Sequence, residues 1–177
     1  MQIIADTHTH TLASTHAYST ITENAKAAKR NGVKAIAMTD HTPPMPDAPH
    51  IWHFYNMKII PRKIDGVYII RGAETNILNF DGEIDLTQEI LDQLEWVVAS
   101  FHDPVCEPGN IEQNSRAYEL LARNPYVDVI GHSDTDWYPY EYERVIKVFK
   151  EYDKLIEINE NSIKRRKGAK KNCAEIA

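Results

Sequence analysis

Ala35-Ile36-Ala37-Met38-Thr39-Asp40-His41 is an apolar run that passes through two polar residues into a histidine. The run shows no hydrophobic alternation. A half-buried strand would alternate, so this one reads as covered on both faces, as strands of parallel sheets flanked by helices are.

The same grammar recurs along the chain. Gln2-Ile3-Ile4-Ala5 leads to Asp6, His8 and His10; Val67-Tyr68-Ile69-Ile70 to Glu74; Trp96-Val97-Val98-Ala99 to His102; Val127-Asp128-Val129-Ile130 to His132; and Leu155 to Asn159 is the last strand-like stretch. Helical segments separate these runs. Thr20-Ile21-Thr22-Glu23 fits a capping box before Ala25–Arg30, and Asn31-Gly32 supplies a left-handed stop. Ala117, Leu120 and Leu121 form one apolar stripe, Val145, Val148, Phe149 and Tyr152 another, and Leu86–Leu91 a shorter helix. Lys170 to Ala177 begins a further helix. Strand followed by helix, with chemistry at successive strand ends, predicts an α/β barrel of about six strand-helix units, since an open doubly wound sheet would gather its ligands at one switch point.

Residues 42–62 break the rhythm with Pro43, Pro44, Pro46, Pro49 and Pro61, predicting a long irregular excursion after a ligand-bearing strand. A length of 177 residues with 42% hydrophobic content suits a single domain, here 1–177, and no linker interrupts it. No apolar stretch has membrane-spanning length and the start lacks a signal-peptide pattern, so a cytoplasmic protein is expected. Cys106 and Cys173 stand far apart outside any CxxC pattern, which predicts buried thiols. The net charge of −6 disfavours a broadly basic nucleic-acid surface.

Imidazoles with a carboxylate suit zinc, with manganese and iron as competitors. The candidate metal ligands are His8, His10, His16, His41, Glu74, His102 and His132. In His8-Thr9-His10 strand alternation puts both rings on one face, and Asp6 on that face is a candidate to orient one of them. Taken singly, each has a bland alternative: a polar strand end for His8 and His10, a loop histidine for His16, a capping role for Asp40 beside His41. A carboxylate following a buried apolar strand, as Glu74 does, must be paired. Asp134 and Asp136, after His132, read as exposed loop carboxylates, with an added ligand as the alternative, and the Lys164–Lys171 tail reads as a basic loop.

The chain resembles the PHP (polymerase and histidinol phosphatase) superfamily, and most closely its YcdX-like branch of metal-dependent phosphatases. The similarity is carried by ADTHTHTLASTHAYST, MTDHTPPMPDAPHIWHFYNMKIIPR, DGVYIIRGAETNILNFDGEID, SFHDPV, EINENS and RKGAKKNC, and runs over nearly the whole chain. It implies a distorted (β/α)7, TIM-like barrel with three zinc ions: His8, His10 and Glu74 on the first, Glu74, His102 and His132 on the second, His16 and His41 on the third. In the family a seventh strand carries an Asp-x-His pair, and no such pair follows the sixth run here. A truncated domain is the resulting expectation.

The resemblance implies phosphomonoester hydrolysis by a metal-bound hydroxide, with no nucleophile from the protein. Phosphodiester or nuclease cleavage on the same scaffold is the alternative, together with a metal-binding domain impaired in catalysis. Candidate phosphate contacts are Arg62, Lys58, His50, His53, Arg165 and Arg166, with Lys167 beside them; arginine is the more specific because its planar fork matches phosphate oxygens. The expected partner is a small phosphorylated substrate, with neither membrane nor nucleic acid, and a homotrimer is possible by the same resemblance.

Overall fold

The computed structural model describes residues 3–177, so Gln2 of the first apolar run lies outside the described residues. The chain divides into two compact units: residues up to Thr75 with Leu86–Val98, and Asn76–Asp85 with Ala99–Ala177.

The first unit holds β1 (Ala5–Thr9), α1 (Ile21–Arg30), β2 (Ala35–Met38), α2 (Trp52–Tyr55), a 3-10 turn (Met57–Ile59), β3 (Lys63–Ile64), nearly all of β4 (Val67–Asn76), α3 (Gln88–Leu91) and the start of β5 (Trp96–Ser100). Strand β1 runs parallel to β2, and β2 parallel to β4 with Ala35 opposite Tyr68 and Met38 opposite Arg71. The burial that the missing alternation predicted holds for β2 and β5 and for much of β4, where Ile36, Ala37, Met38, Ile69, Ala73, Val97 and Val98 are buried, but not for the first run, whose Ile3 and Ile4 are exposed, nor for Tyr68 at the start of β4. Gly72 lets β4 pass its neighbours, because a Cβ there would lie 2.5 Å from the Trp96 carbonyl oxygen and 3.2 Å from that of Met38. Helix α1 begins at the expected capping box, with the Thr20 N–H donating to Glu23 Oε2 at 2.7 Å and the Glu23 N–H to Thr20 Oγ1 at 3.2 Å.

Three boundaries differ from expectation. Strand β1 lies later than its apolar run and contains His8, and an extra residue disturbs the β1–β2 register between Asp6 and Thr9. Beside that bulge the Asp6 Oδ1 accepts the His8 backbone N–H at 3.4 Å. Strand β4 continues through Arg71 and Gly72, so Glu74 sits inside a strand and not beyond one. The proline-rich excursion contains α2 and the 3-10 turn, and ends in a hairpin in which β3 pairs antiparallel with β4. Asp65 and Gly66 make that turn with φ of 50° and 90°, the positive values a two-residue hairpin loop prefers.

The second unit contains the end of β5, α4 (Ile111–Leu121), β6 (Val129–Ile130), α5 (Tyr142–Glu151), β7 (Leu155–Ile156), α6 (Glu160–Arg165) and α7 (Ala169–Ile176). Its strand order is β5-β6-β7, with β6 and β7 parallel and Val129 opposite Leu155. An aromatic cluster fills its core: Phe101 stacks on Tyr138 at 4.5 Å, and Tyr118 meets Phe101, Tyr140 and Phe149 edge-on. The anticipated final helix is α7. Helix α6 replaces the first part of the expected basic loop, because Asn159 caps it by accepting the N–H groups of Asn161 and Ser162. Both cysteines are free and buried, as expected. Among the described residues no helix is long and apolar enough to cross a membrane.

Candidate metal centre

In the first unit the Nε2 atoms of His8, His10 and His41 lie 3.1, 3.4 and 2.9 Å from one oxygen, Oε2 of Glu74. Backbone pairing sets this up. The Glu74 N–H donates to the Asp40 carbonyl and the Thr42 N–H to the Glu74 carbonyl, both at 3.1 Å, so His41 is held opposite Glu74 as an added rung beyond β2. Glu74 is 1% exposed. A carboxylate so buried requires positive partners or a cation.

Asp47 organises the other side of His41. Its carboxylate takes the His41 Nδ1 at 2.8 Å and also pairs with the His16 Nδ1, drawing His16, His41 and Asp47 into a second group with metal-ligand spacing beside His8, His10 and Glu74. Asp40, wholly buried, accepts the Thr11 N–H and hydroxyl at 2.7 Å each and the Ser14 hydroxyl at 2.9 Å. It therefore anchors the loop between His10 and His16. Burial pushes the Asp40 pKa up, but the hydrogen bonds from His53, Thr11 and Ser14 outweigh it and hold the carboxylate ionised below its ordinary range.

Burial, opposed by the Glu74 charge and reinforced by His8, His41 and His16, pulls the His10 pKa down to about 4, so its ring is neutral at pH 7. For His41 burial also works downward, but Glu74 and Asp47 overcome it and the pKa is raised. The Nδ1 of His10 is buried with no hydrogen-bond partner among the described residues. Three ring nitrogens crowding one carboxylate oxygen, with another ring nitrogen unmatched, make a poor hydrogen-bond network and a good coordination set: borderline nitrogen donors with a hard carboxylate, suited to zinc, manganese or iron.

The second unit presents a different group. His102 follows β5 and His132 follows β6, their ring centroids 5.3 Å apart. His132 has φ of 26°, and its N–H donates to Glu157 Oε2 at 2.8 Å. The Nδ1 of His102 lies 2.7 Å from Asn76 Oδ1. Both histidines border a hollow of about 600 Å³ that Arg165, Arg166 and Lys167 also line.

Residues 6–161 match the PHP domain family. The chain belongs to the PHP family. It is 50% identical over 179 residues to a probable phosphatase of Thermoanaerobacter sp. (strain X514), covering 100% of this chain and 73% of that one. It is 49% identical to a probable phosphatase of Clostridium novyi (99% of this chain, 72% of the relative) and 48% identical to one of Aliivibrio fischeri MJ11 (99% and 72%). Among solved structures it is similar to a histidinol phosphate phosphatase of Lactococcus lactis, complexed with zinc, L-histidinol and phosphate: TM-score 0.56, 20% identity, covering 86% of this chain and 71% of that one. At that identity the likeness speaks to fold, and it bears out the expected α/β class of strand-helix units in PHP barrel order.

Within this PHP chain the predicted phosphate contacts separate. Arg165 and Arg166 line the hollow beside His102 and His132. Arg62 is engaged by Glu95, His53 faces Asp40 Oδ2 at 3.4 Å, and His50 Nδ1 accepts the Trp52 N–H at 3.3 Å. Lys58 is exposed at the 3-10 turn. Asp134 is wholly buried, contrary to the expected exposed loop carboxylate, because Cys173 Sγ packs 3.2 Å from its Oδ2. Asp136 accepts from Asn172 Nδ2 at 2.8 Å. Sequence reading missed Asp47, Asn76, Asp85 and Glu157. Only Asn76 carried a local signal, standing two residues beyond Glu74 in the same strand.

Proposed function

We propose that this PHP chain is a metal-dependent phosphatase that hydrolyses small phosphomonoesters at a three-ion centre. The observation that carries the reading is the convergence of His8, His10 and His41 on the buried Glu74 oxygen. On this reading His8, His10 and Glu74 hold one ion, His16 and His41 with Asp47 behind them a second, and His102 and His132 are ligands of a third. Zinc is the expected metal, with manganese or iron as substitutes. Bound divalent ions would lower the pKa of water into the neutral range and offset negative charge on phosphoryl oxygens.

The protein's own groups do the rest. His10, neutral at pH 7, offers a nitrogen lone pair instead of a competing proton. Asp47 accepts from the Nδ1 atoms of His16 and His41, which turns their Nε2 atoms outward as electron donors. Arg165, Arg166 and Lys167 supply positive charge around the hollow beside His102 and His132, where the guanidinium fork suits two phosphate oxygens. No serine, cysteine or aspartate nucleophile is needed. We read the two compact units as parts of one PHP domain, because the family match spans both. Two free buried thiols suit a reducing cytoplasm, the setting we assign.

The test pairs elemental analysis of untagged, chelator-free protein with turnover of p-nitrophenyl phosphate and bis(p-nitrophenyl) phosphate. Close to three ions per chain with preference for the monoester is the expected result. Loaded protein that prefers the diester, or turns over neither, overturns the phosphatase reading; one ion or none on the 177-residue chain overturns the three-ion centre for this chain.

A further inference from the structure

We propose that Asp85 is a positioning residue that, through Asn76, fixes which nitrogen of His102 carries the proton. The three residues belong to the second unit. A short return segment, closed by the antiparallel bridge between Ile77 and Ile84, brings Asp85 back against Asn76. There Asp85 accepts twice from one residue: its Oδ1 takes the Asn76 backbone N–H at 3.1 Å and its Oδ2 the Asn76 side-chain amide nitrogen at 2.5 Å.

An ionised carboxylate is an acceptor only, so the amide must turn its NH2 toward Asp85. The amide oxygen then points the other way, and it lies 2.7 Å from His102 Nδ1. An amide oxygen is also only an acceptor, so Nδ1 must donate and carry the hydrogen. In the neutral ring the remaining lone pair sits on Nε2. Asn76 is wholly buried, so water cannot compensate a flipped amide: the flip would set oxygen against carboxylate and NH2 against the ring N–H. The choice is thus imposed from outside the ring and transmitted by a group that cannot be protonated. A carboxylate in direct contact with the ring would also orient it, but could take up its proton; the interposed amide orients it without offering that exchange.

The role of His102 as a ligand rests on the function proposed above, but its tautomer does not, and the test separates the two. The experiment is a long-range ¹H–¹⁵N correlation spectrum of ¹⁵N-histidine-labelled, chelator-treated protein near neutral pH, with His102 assigned through His102→Gln. A free histidine side chain prefers its proton on Nε2. The expected result is the opposite, a ring protonated on Nδ1 in the unmodified chain, and in Asp85→Asn a shift toward the Nε2-protonated form, since Asn76 no longer has one compulsory orientation. Asp85→Glu should restore part of the Nδ1 form. An Nε2-protonated His102 in the unmodified protein overturns the proposal even if Asp85→Asn does not fold, and so does a folded Asp85→Asn with its tautomer unchanged. In the metal-loaded protein, chelator competition should show affinity lowered roughly 10- to 100-fold in Asp85→Asn, the usual effect of losing a partner behind a ligand histidine. An unchanged tautomer with altered activity would sink the positioning role alone, whereas the expected tautomers without phosphatase activity would sink only the proposed function.

Discussion

The histidines of the first unit lean on carboxylates, while those of the second are set among a neutral amide, a backbone-bound glutamate and cationic side chains. His8, His10 and His41 meet Glu74, and His16 and His41 meet Asp47. His102 meets Asn76, the His132 backbone meets Glu157, and Arg165, Arg166 and Lys167 border the same hollow. The same residue type is therefore given different outer partners. Carboxylates behind imidazoles raise their donor strength and attract cations; a neutral orienting group beside arginines leaves a site in which an anion is not repelled.

The largest expected effect comes from Glu74→Ala, which removes the carboxylate common to three histidines. Metal content should fall and turnover drop by more than the ~100-fold typical of losing an outer partner. Elemental analysis with steady-state kinetics checks this; full metal content in the variant would break the contrast between the units. Replacing Arg165 and Arg166 together with alanine should do the reverse, raising KM for a phosphomonoester by about 10- to 100-fold, the scale of a lost charged hydrogen bond or two, with metal content unchanged. Weaker inhibition by inorganic phosphate would sharpen the assignment, and loss of metal would defeat it.

Smaller effects concern the scaffold. Gly72→Ala forces a methyl group against the Trp96 carbonyl and should lower stability by about 1–3 kcal/mol, read as a reduced urea midpoint. The least effect is that of pH on the metal-free protein. His10 titrates at about 4 when folded against 6.5 for the ordinary side chain, so as pH falls the unfolded chain takes up this proton first. Its stabilising contribution is complete above pH 6.5 and is lost between there and about 4. His41, with a raised pKa, works oppositely: its contribution is complete below 6.5 and is lost as pH rises through the folded value. His10→Gln should therefore flatten the decline in urea midpoint between pH 6.5 and 4; an unaltered slope would show that its buried neutral ring does not contribute.

The α/β succession of strands and helices was legible because short apolar runs without alternation leave few alternatives to buried strands. Ala35–Met38 matches β2 residue for residue. Boundaries were harder. Strand β4 extends through Arg71 and Gly72 because backbone pairing continues regardless of side-chain polarity, with the Arg71 Nη2 donating to the Ile60 carbonyl at 2.6 Å. Asp47 stayed hidden because it meets His16 across 31 residues of chain, and a proline-rich loop carries no periodicity to place it. Asp134 looked solvated because the groups that bury it, Asn172 and Cys173, come 38 and 39 residues later.

Asp40 has a consequence for metal supply. It ties Thr11 and Ser14 down with hydrogen bonds between protein groups, so the chain itself holds the segment from His10 to His16. A metal centre built on such a segment would resemble a socket more than a rivet, since its ions could leave and return without refolding the chain. On the function proposed above, such a centre could exchange zinc for manganese or iron, and growth on different trace elements would change what it carries.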